Sequence, residues 1–142
     1  NVKIQGLEEL PKDYSVVVNL KNTSGTVLQT HTMSQNEFTK IENTAGSLTG
    51  SWKIDGQITS FFADGSYLQV STNAYNSCGE GIESGTYSAA NGALAATAVQ
   101  YDTNGCAGLA NGQELYSFNY TLDGDLLHIT NADDQSAEMQ RF

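Results

Sequence analysis

The sequence predicts an all-β protein whose main part is a small antiparallel barrel. Thr, Ser, Tyr and Val are frequent between turn signals, and the chain has 14 Gly but one Pro. These residue types favour short pleated strands. Helical periodicity is nearly absent. From residue 48 onward, turn dipeptides separate evenly spaced apolar segments, and about eight such strands are enough to close a small barrel.

Short turns connect most of the eight predicted strands. The strands cover residues 48–54, 57–63, 67–73, 82–89, 93–101, 114–122, 126–131 and 137–142. Four connections contain Asp55-Gly56, Asp64-Gly65, Asn91-Gly92 or Gly124-Asp125, in which Gly or Asn can adopt a positive φ. Two connections, 74–81 and 102–113, are longer. Successive hairpins predict an up-and-down meander.

Alternation along each strand predicts which side chains face inward. The inward face of the sixth strand carries Tyr116, Phe118, Tyr120 and Leu122. Trp52 lies on the face opposite Lys53 in the first strand, and Arg141 lies opposite Gln140 in the last. In an eight-strand meander the first strand starts, and the last ends, at the same end. Trp52 and Arg141 are therefore predicted to meet there as a cation-π pair.

These residues carry a resemblance to a known group. Gly50-Ser51-Trp52 and Arg141 resemble the Gly-x-Trp and terminal Arg signature of the calycins, which include lipocalins, fatty-acid-binding proteins and avidins. The fragments 63–67, 83–87 and 102–105 are similar to small lipocalin-like domains of bacterial envelope and secreted proteins. The resemblance covers residues 48–142 and implies a lipocalin-like barrel in an exported bacterial protein.

The first 47 residues read as a short β segment. Strands are predicted over 2–7, 14–21 and 26–32, and residues 22–25 form a hairpin loop. Such a small sheet is marginally stable alone, so its apolar face needs the barrel, a second copy of the chain or a neighbouring domain as cover. The segment is similar to the late strands of immunoglobulin-like or prealbumin-like modules. The chain begins at Asn1, which indicates a processed product or a piece of a longer chain.

Both cysteines fall in the long connections. Strand parity places Cys78 and Cys106 at the end of the barrel opposite Trp52, where a disulfide would join the two connections. The bond would indicate an oxidising location: secreted, periplasmic or on the cell surface. The alternative is a pair of free thiols in a reducing compartment.

The charge balance restricts the partners. With 6 Lys and Arg against 16 Asp and Glu, the formal net charge is −10, which argues against a nucleic-acid partner. No apolar run approaches the ~18 residues of a membrane helix. The acidic residues expected at the loop end could bind Ca²⁺, which prefers oxygen ligands, or form a solvated rim. The candidate ligands are Glu80, Asp102, Asn104, Asp133 and Asp134.

Catalytic patterns are weak. His31 and His128 lack the paired spacing of a zinc site, and no Ser occupies a Gly-x-Ser-x-Gly elbow. Glu83 and Asp102 could form an acid pair for glycoside hydrolysis, but the sequence establishes no aromatic cleft. We therefore expect no enzyme activity.

A binding or accessory role is the leading hypothesis. The sequence predicts a non-catalytic module of a larger exported protein, with a small apolar or glycan ligand held at the loop end. Tyr75, Tyr101 and Tyr116 are the candidate contacts, because Tyr combines a large apolar face with a hydroxyl; they could equally be barrel-wall residues. The alternative function is a barrel-shaped inhibitor of a secreted protease.

Overall fold

The computed structural model describes residues 16–33, 43–71, 80–103, 105 and 108–142. Every regular element in these ranges is a β-strand. None of the described segments forms a helix with the length and apolar character needed to cross a membrane. The described residues fall into two compact units: the first contains residues 16–33, and the second contains everything from residue 43 onward.

The first unit is a two-stranded antiparallel hairpin of β1 (Val16–Lys21) and β2 (Val27–Met33). Asn22 shapes its turn, because its Oδ1 accepts hydrogen bonds from the N–H groups of Ser24 at 3.1 Å and Thr26 at 2.9 Å. The hairpin agrees with two predicted strands, while the third, 2–7, lies outside the described residues. Its exposed large apolar side chains are Val17, Leu20, Val27 and Leu28.

The second unit is a closed eight-strand antiparallel barrel. Its elements in chain order are β3 (Gly50–Ile54), β4 (Gln57–Phe61), β5 (Ser66–Ser71), β6 (Gly81–Ala90), β7 (Ala93–Asp102), β8 (Ala110–Asn111), β9 (Glu114–Leu115), β10 (Ser117–Asp123), β11 (Leu126–Thr130) and β12 (Ser136–Arg141). Each barrel strand pairs with the next, and β12 pairs with β3 to close the ring. The β8–β9 hairpin is not a barrel strand pair. The predicted all-β barrel, preceded by a short β segment, is confirmed.

One predicted strand is divided in two. The sequence predicted a single strand over 114–122, whereas β9 and β10 are separate elements with Tyr116 between them. The Tyr116 N–H donates to the Leu109 carbonyl at 2.8 Å, and its own carbonyl accepts from the Ala96 N–H at 3.1 Å. Tyr116 therefore links the small hairpin to the barrel wall.

The turns follow their sequence signals. The β6–β7 hairpin has Asn91 at φ 53° and Gly92 at φ 80°. Positive φ at both central residues is typical of the type I′ turn, whose twist matches that of the strands it joins. Local chemistry therefore fixes the register of this hairpin.

The base of the barrel is the end at which β3 begins and β12 ends. The Arg141 guanidinium lies over the Trp52 ring, with 4.1 Å from Cζ to the ring centroid. The predicted contact is thus present. Arg141 Nε bonds to Asp125 Oδ1 at 3.1 Å, and Nη2 donates to the Ser47 carbonyl at 3.0 Å. Residue 47 was assigned to the preceding segment from the sequence, yet it is tied to the barrel base.

Gly50 is required at this base by both conformation and space. Its φ is +133°, a value that L side chains rarely adopt. A Cβ there would lie 2.8 Å from Arg141 Nη1 and would overlap Asn43 Oδ1. The Gly of the Gly-x-Trp pattern is therefore explained by the close approach of both Asn43 and Arg141.

Candidate functional site

A buried row of polar side chains crosses the inside of the barrel. Thr59 on β4 lies opposite Gln69 on β5, which lies opposite Glu83 on β6. Their relative exposures are 3%, 1% and 0%. Thr59 Oγ1 donates to Gln69 Oε1 at 3.1 Å. The row lies toward the loop end, which is the end opposite the base, where β5 ends and β6 begins.

Glu83 is the ionisable side chain of this row, and it is completely buried. Its Oε1 accepts from the Tyr67 hydroxyl at 2.6 Å and from the Leu109 N–H at 3.0 Å. Gly108 lies directly against Oε2, and a Cβ at that position would overlap the carboxyl group. The side chain is therefore covered by the segment that follows β7.

Burial raises the pKa of the Glu83 carboxyl above its ordinary value of 4.5. The hydrogen bonds from Tyr67 and the Leu109 backbone act in the opposite direction, and the nearby charge of Asp102 adds to the increase. The pKa of Tyr67 is also raised, by burial first and then by Glu83. Tyr67 therefore stays protonated and keeps donating to the carboxyl group.

A small cavity of about 40 Å³ lies inside the barrel. Apolar side chains, including Phe61, Leu94 and Phe118, form most of its lining, and Gln69 and Thr59 contribute polar atoms. This volume exceeds the roughly 10–15 Å³ that one water molecule needs. It is far below the roughly 300 Å³ at which ligand pockets begin. Leu109 lines the cavity and is only 5% exposed; its side chain occupies part of the barrel interior.

Three buried polar atoms toward the loop end lack a hydrogen-bond partner within the described part of the chain, and one of them belongs to the cavity-lining Gln69. They are Gln69 Nε2, Ser71 Oγ and Glu83 Oε2. Gln69 and Ser71 are two residues apart on β5 and so share the inward face, with Ser71 at the strand end. An unsatisfied buried polar group costs about 1–3 kcal/mol. Polar groups left unpaired beside an apolar space are typical of a binding site.

The three tyrosines that were predicted to contact a ligand lie in different surroundings. Tyr75 lies outside the described residues. Tyr101 pairs with Ser84, the outward neighbour of Glu83, and is 56% exposed, so it does not face the interior. The half-buried Tyr116 ring packs edge-to-face on Phe118 with centroids 6.5 Å apart. Of the three, Tyr116 approaches the cavity through this neighbour.

The predicted calcium ligands are not assembled in the described part of the chain, where no group of three or more His, Cys, Asp or Glu could hold a metal ion. Asn104 lies outside the described residues. Asp102 Oδ2 accepts from the Gly112 N–H at 2.9 Å, and the exposed Asp133 and Asp134 belong to the β11–β12 turn. Asp102 is thus bonded to the backbone of the β8–β9 turn, in a different connection from Asp133 and Asp134.

Cys78 and Cys106, which are predicted to form a disulfide, both lie outside the described residues. The strands that flank them agree with the expected parity, because the β5–β6 and β7–β8 connections both leave from the loop end. The disulfide therefore stays a prediction.

Sequence reasoning missed Gln69, Ser71 and Leu109 as site residues. Alternation from the buried Tyr67 could have placed Gln69 and Ser71 inside, since the three share one face of β5. The sequence suggested Glu83 as half of an acid pair with Asp102, and its complete burial was not predicted. No sequence signal indicated that Leu109 folds into the barrel, because it follows a long connection without regular alternation.

We expect Glu83→Gln to stabilise the protein at neutral pH. A carboxyl whose folded-state pKa is raised contributes full stability below its unfolded pKa and loses it as pH rises through the folded pKa. Urea unfolding from pH 4 to pH 8 should show the variant gaining on the wild type as pH rises. The exposed Glu114→Gln is the control and should give a flat difference. A Glu83→Gln difference equally flat with pH would contradict this prediction.

Comparison with known proteins adds no further assignment. The chain matches no protein-family model, no curated protein and no solved structure.

Proposed function

We propose that this chain is a non-catalytic binding module whose ligand is held inside the loop end of the barrel. The single observation that carries the proposal is the set of buried polar atoms on Gln69, Ser71 and Glu83 that have no partner within the described residues; of these three side chains, Gln69 lines the apolar cavity. A mostly apolar site with a few convergent polar groups is the usual form of a small-molecule site.

The ligand class follows from Gln69 and Ser71 on the inward face of β5. Gln69 lines the cavity and its Nε2 is a hydrogen-bond donor, and Ser71 Oγ at the strand end can donate or accept. The ligand should therefore carry a neutral amide or carbonyl group. Phe61 and Phe118 favour an apolar remainder. Since the cavity holds only about 40 Å³, the apolar part of the ligand has to take the place of the Leu109 side chain.

The cellular setting is proposed from the sequence. The calycin resemblance of Gly50, Trp52 and Arg141 and the cysteines in connections at one end support an exported bacterial protein, with this chain as one module of it. The contact of Arg141 with Trp52 is compatible with the resemblance.

We expect hexanamide, a neutral amide with a short apolar chain, to bind at this site. ¹H–¹⁵N NMR titration should shift the Gln69 side-chain amide resonances and the Leu109 backbone amide. Gln69→Met keeps the length of the side chain but removes the amide, and should weaken binding at least tenfold, about 1.4 kcal/mol. Gln140→Met is the matched control because Gln140 is exposed.

Two results would overturn the proposed site. The first is the absence of any shift at Gln69 and Leu109 up to the solubility limit of hexanamide. The second is equal binding by the wild type and Gln69→Met, which would place the amide elsewhere on the protein.

The exported setting has its own test. We expect a thiol-reactive reagent to find no free thiol in protein that is unfolded without reductant, because Cys78 and Cys106 are predicted to be bonded to each other. Mass spectrometry before and after reduction would show a gain of two hydrogens. Two reactive thiols would reverse both the bond and the argument for an oxidising compartment.

A further inference from the structure

We propose that residues 108–110 form a lid over the loop end of the barrel, closed while Glu83 is protonated and released when Glu83 ionises. The proposal rests on the proposed function in one respect, since this lid covers the proposed ligand site. Its test requires no ligand, so the two can fail independently.

The contacts that hold the lid centre on Leu109 and on the fully buried Ala110, whose N–H also lies against Glu83. The Leu109 N–H donates to Glu83 Oε1 at 3.0 Å, and its carbonyl accepts from the Tyr116 N–H at 2.8 Å. The Leu109 side chain is buried among the cavity-lining residues. Of these two hydrogen bonds of Leu109, the bond to Glu83 involves a titratable side chain, whereas the bond from Tyr116 joins two backbone groups. Ala110 then begins the two-residue strand β8, which pairs only with β9.

The lid is also what separates Glu83 from the loop end. Strands β5 and β6 are joined by a continuous ladder that pairs Gln69 with Glu83, so the barrel wall cannot move aside locally. Gly108 lies on Oε2 without room for a Cβ. Water can therefore reach this oxygen most directly when residues 108–110 move away.

The groups that face Glu83 favour its neutral form. The β5 neighbours are the Tyr67 hydroxyl and the neutral Gln69, the β7 neighbour is Asp102, and the lid presents the N–H groups of Leu109 and Ala110. Within the described ranges no cation forms an ion pair with Glu83. An ionised carboxyl would thus be a buried anion next to a second acidic residue, and a buried charge without a counter-ion is strongly unfavourable.

Ionisation and lid opening are therefore linked. The charged carboxylate gains hydration in the open state, whereas the neutral carboxyl is compatible with the closed one. Where Glu83 is neutral in the closed state and ionised in the open state, the opening equilibrium rises up to tenfold for each pH unit. At lower pH the lid should stay closed.

Amide hydrogen exchange at Leu109 tests the proposal. NMR exchange rates measured from pH 4 to pH 8 and corrected for intrinsic exchange give a protection factor at each pH. We expect the Leu109 protection factor to fall by up to tenfold per pH unit between the ordinary carboxyl pKa of 4.5 and the pH at which Glu83 titrates in the folded protein, and to level off above that pH. The protection factor of Leu127 in the core should stay constant. Glu83→Gln should hold Leu109 protection constant, and Glu114→Gln should behave like the wild type.

A second measurement on the wild type keeps the test decisive if Glu83→Gln does not fold. The Glu83 side-chain carboxyl carbon, followed by ¹³C NMR, should titrate at the pH where the fall in the Leu109 protection factor levels off. Titration of Glu83 without any change at Leu109 would overturn the lid. So would an equal fall in protection in the wild type and Glu83→Gln. Hexanamide binding in either case would leave the proposed function intact.

Discussion

Trp52→Ala is expected to lower the free energy of unfolding by about 3–5 kcal/mol, the usual cost of truncating a large buried aromatic side chain. Trp52 is fully buried, and its indole Nε1 donates to the Leu48 carbonyl at 2.8 Å. The substitution also removes the ring beneath Arg141, a cation-π contact worth about 2 kcal/mol when desolvated. The guanidinium would keep its hydrogen bonds at the base but lose its aromatic partner.

Urea unfolding followed by far-ultraviolet circular dichroism is the suitable measurement, because Trp52 is the single Trp of the chain and its fluorescence is lost with the substitution. Tyr101→Ala is the matched control. Tyr101 is an exposed aromatic side chain on the same barrel, so its truncation should cost about 0.5 kcal/mol or less. A Trp52→Ala cost no greater than that of Tyr101→Ala would contradict the role of the base contact.

Leu109→Ala is expected to cost about 2–5 kcal/mol, since it removes a buried leucine and enlarges an existing cavity. The cost should lie toward the lower part of this range, because residues 108–110 are not part of the barrel wall and can relax into the space. The measurement is again urea unfolding, with intrinsic tryptophan fluorescence as the signal.

Leu115→Ala provides the control within the same connection. Leu115 lies on β9, close in sequence to Leu109, but it is 42% exposed. Its truncation should therefore cost markedly less. An equal loss in the free energy of unfolding for the two variants would show that the Leu109 side chain is not packed inside the barrel in solution. The lid would then have no physical basis.

The structure also explains why a packed interior and a binding role are compatible. The apolar cavity is small because Leu109 fills the loop end, while the base is closed by Trp52 and Arg141. The loop end is closed by residues 108–110, which lie outside the barrel strands. Local opening uses the least stable parts of a structure, so access to the interior should occur there.

The barrel, its strand order and the contact at its base could all be predicted from the sequence. Turn residues such as Asn91 and Gly92 act locally, and alternation within each strand is a period-two property of the backbone. Strand parity then brought Trp52 and Arg141 to one end without any knowledge of long-range contacts. These features were predictable because each depends on residues that are close in the chain.

Which residues fill the loop end could be seen only in the tertiary structure. Strand β7 contains irregularities in its pairing with β6, so that Gly85 pairs with Val99 and Ser84 with Tyr101, leaving Gln100 unmatched. Such bulges change the facing of residues between them, and simple alternation from Leu94 does not reveal them. The burial of Glu83 beneath Gly108 and Leu109 likewise depends on a fold-back contact across 26 positions. That contact is set by the space left inside the closed barrel, which no local sequence pattern encodes.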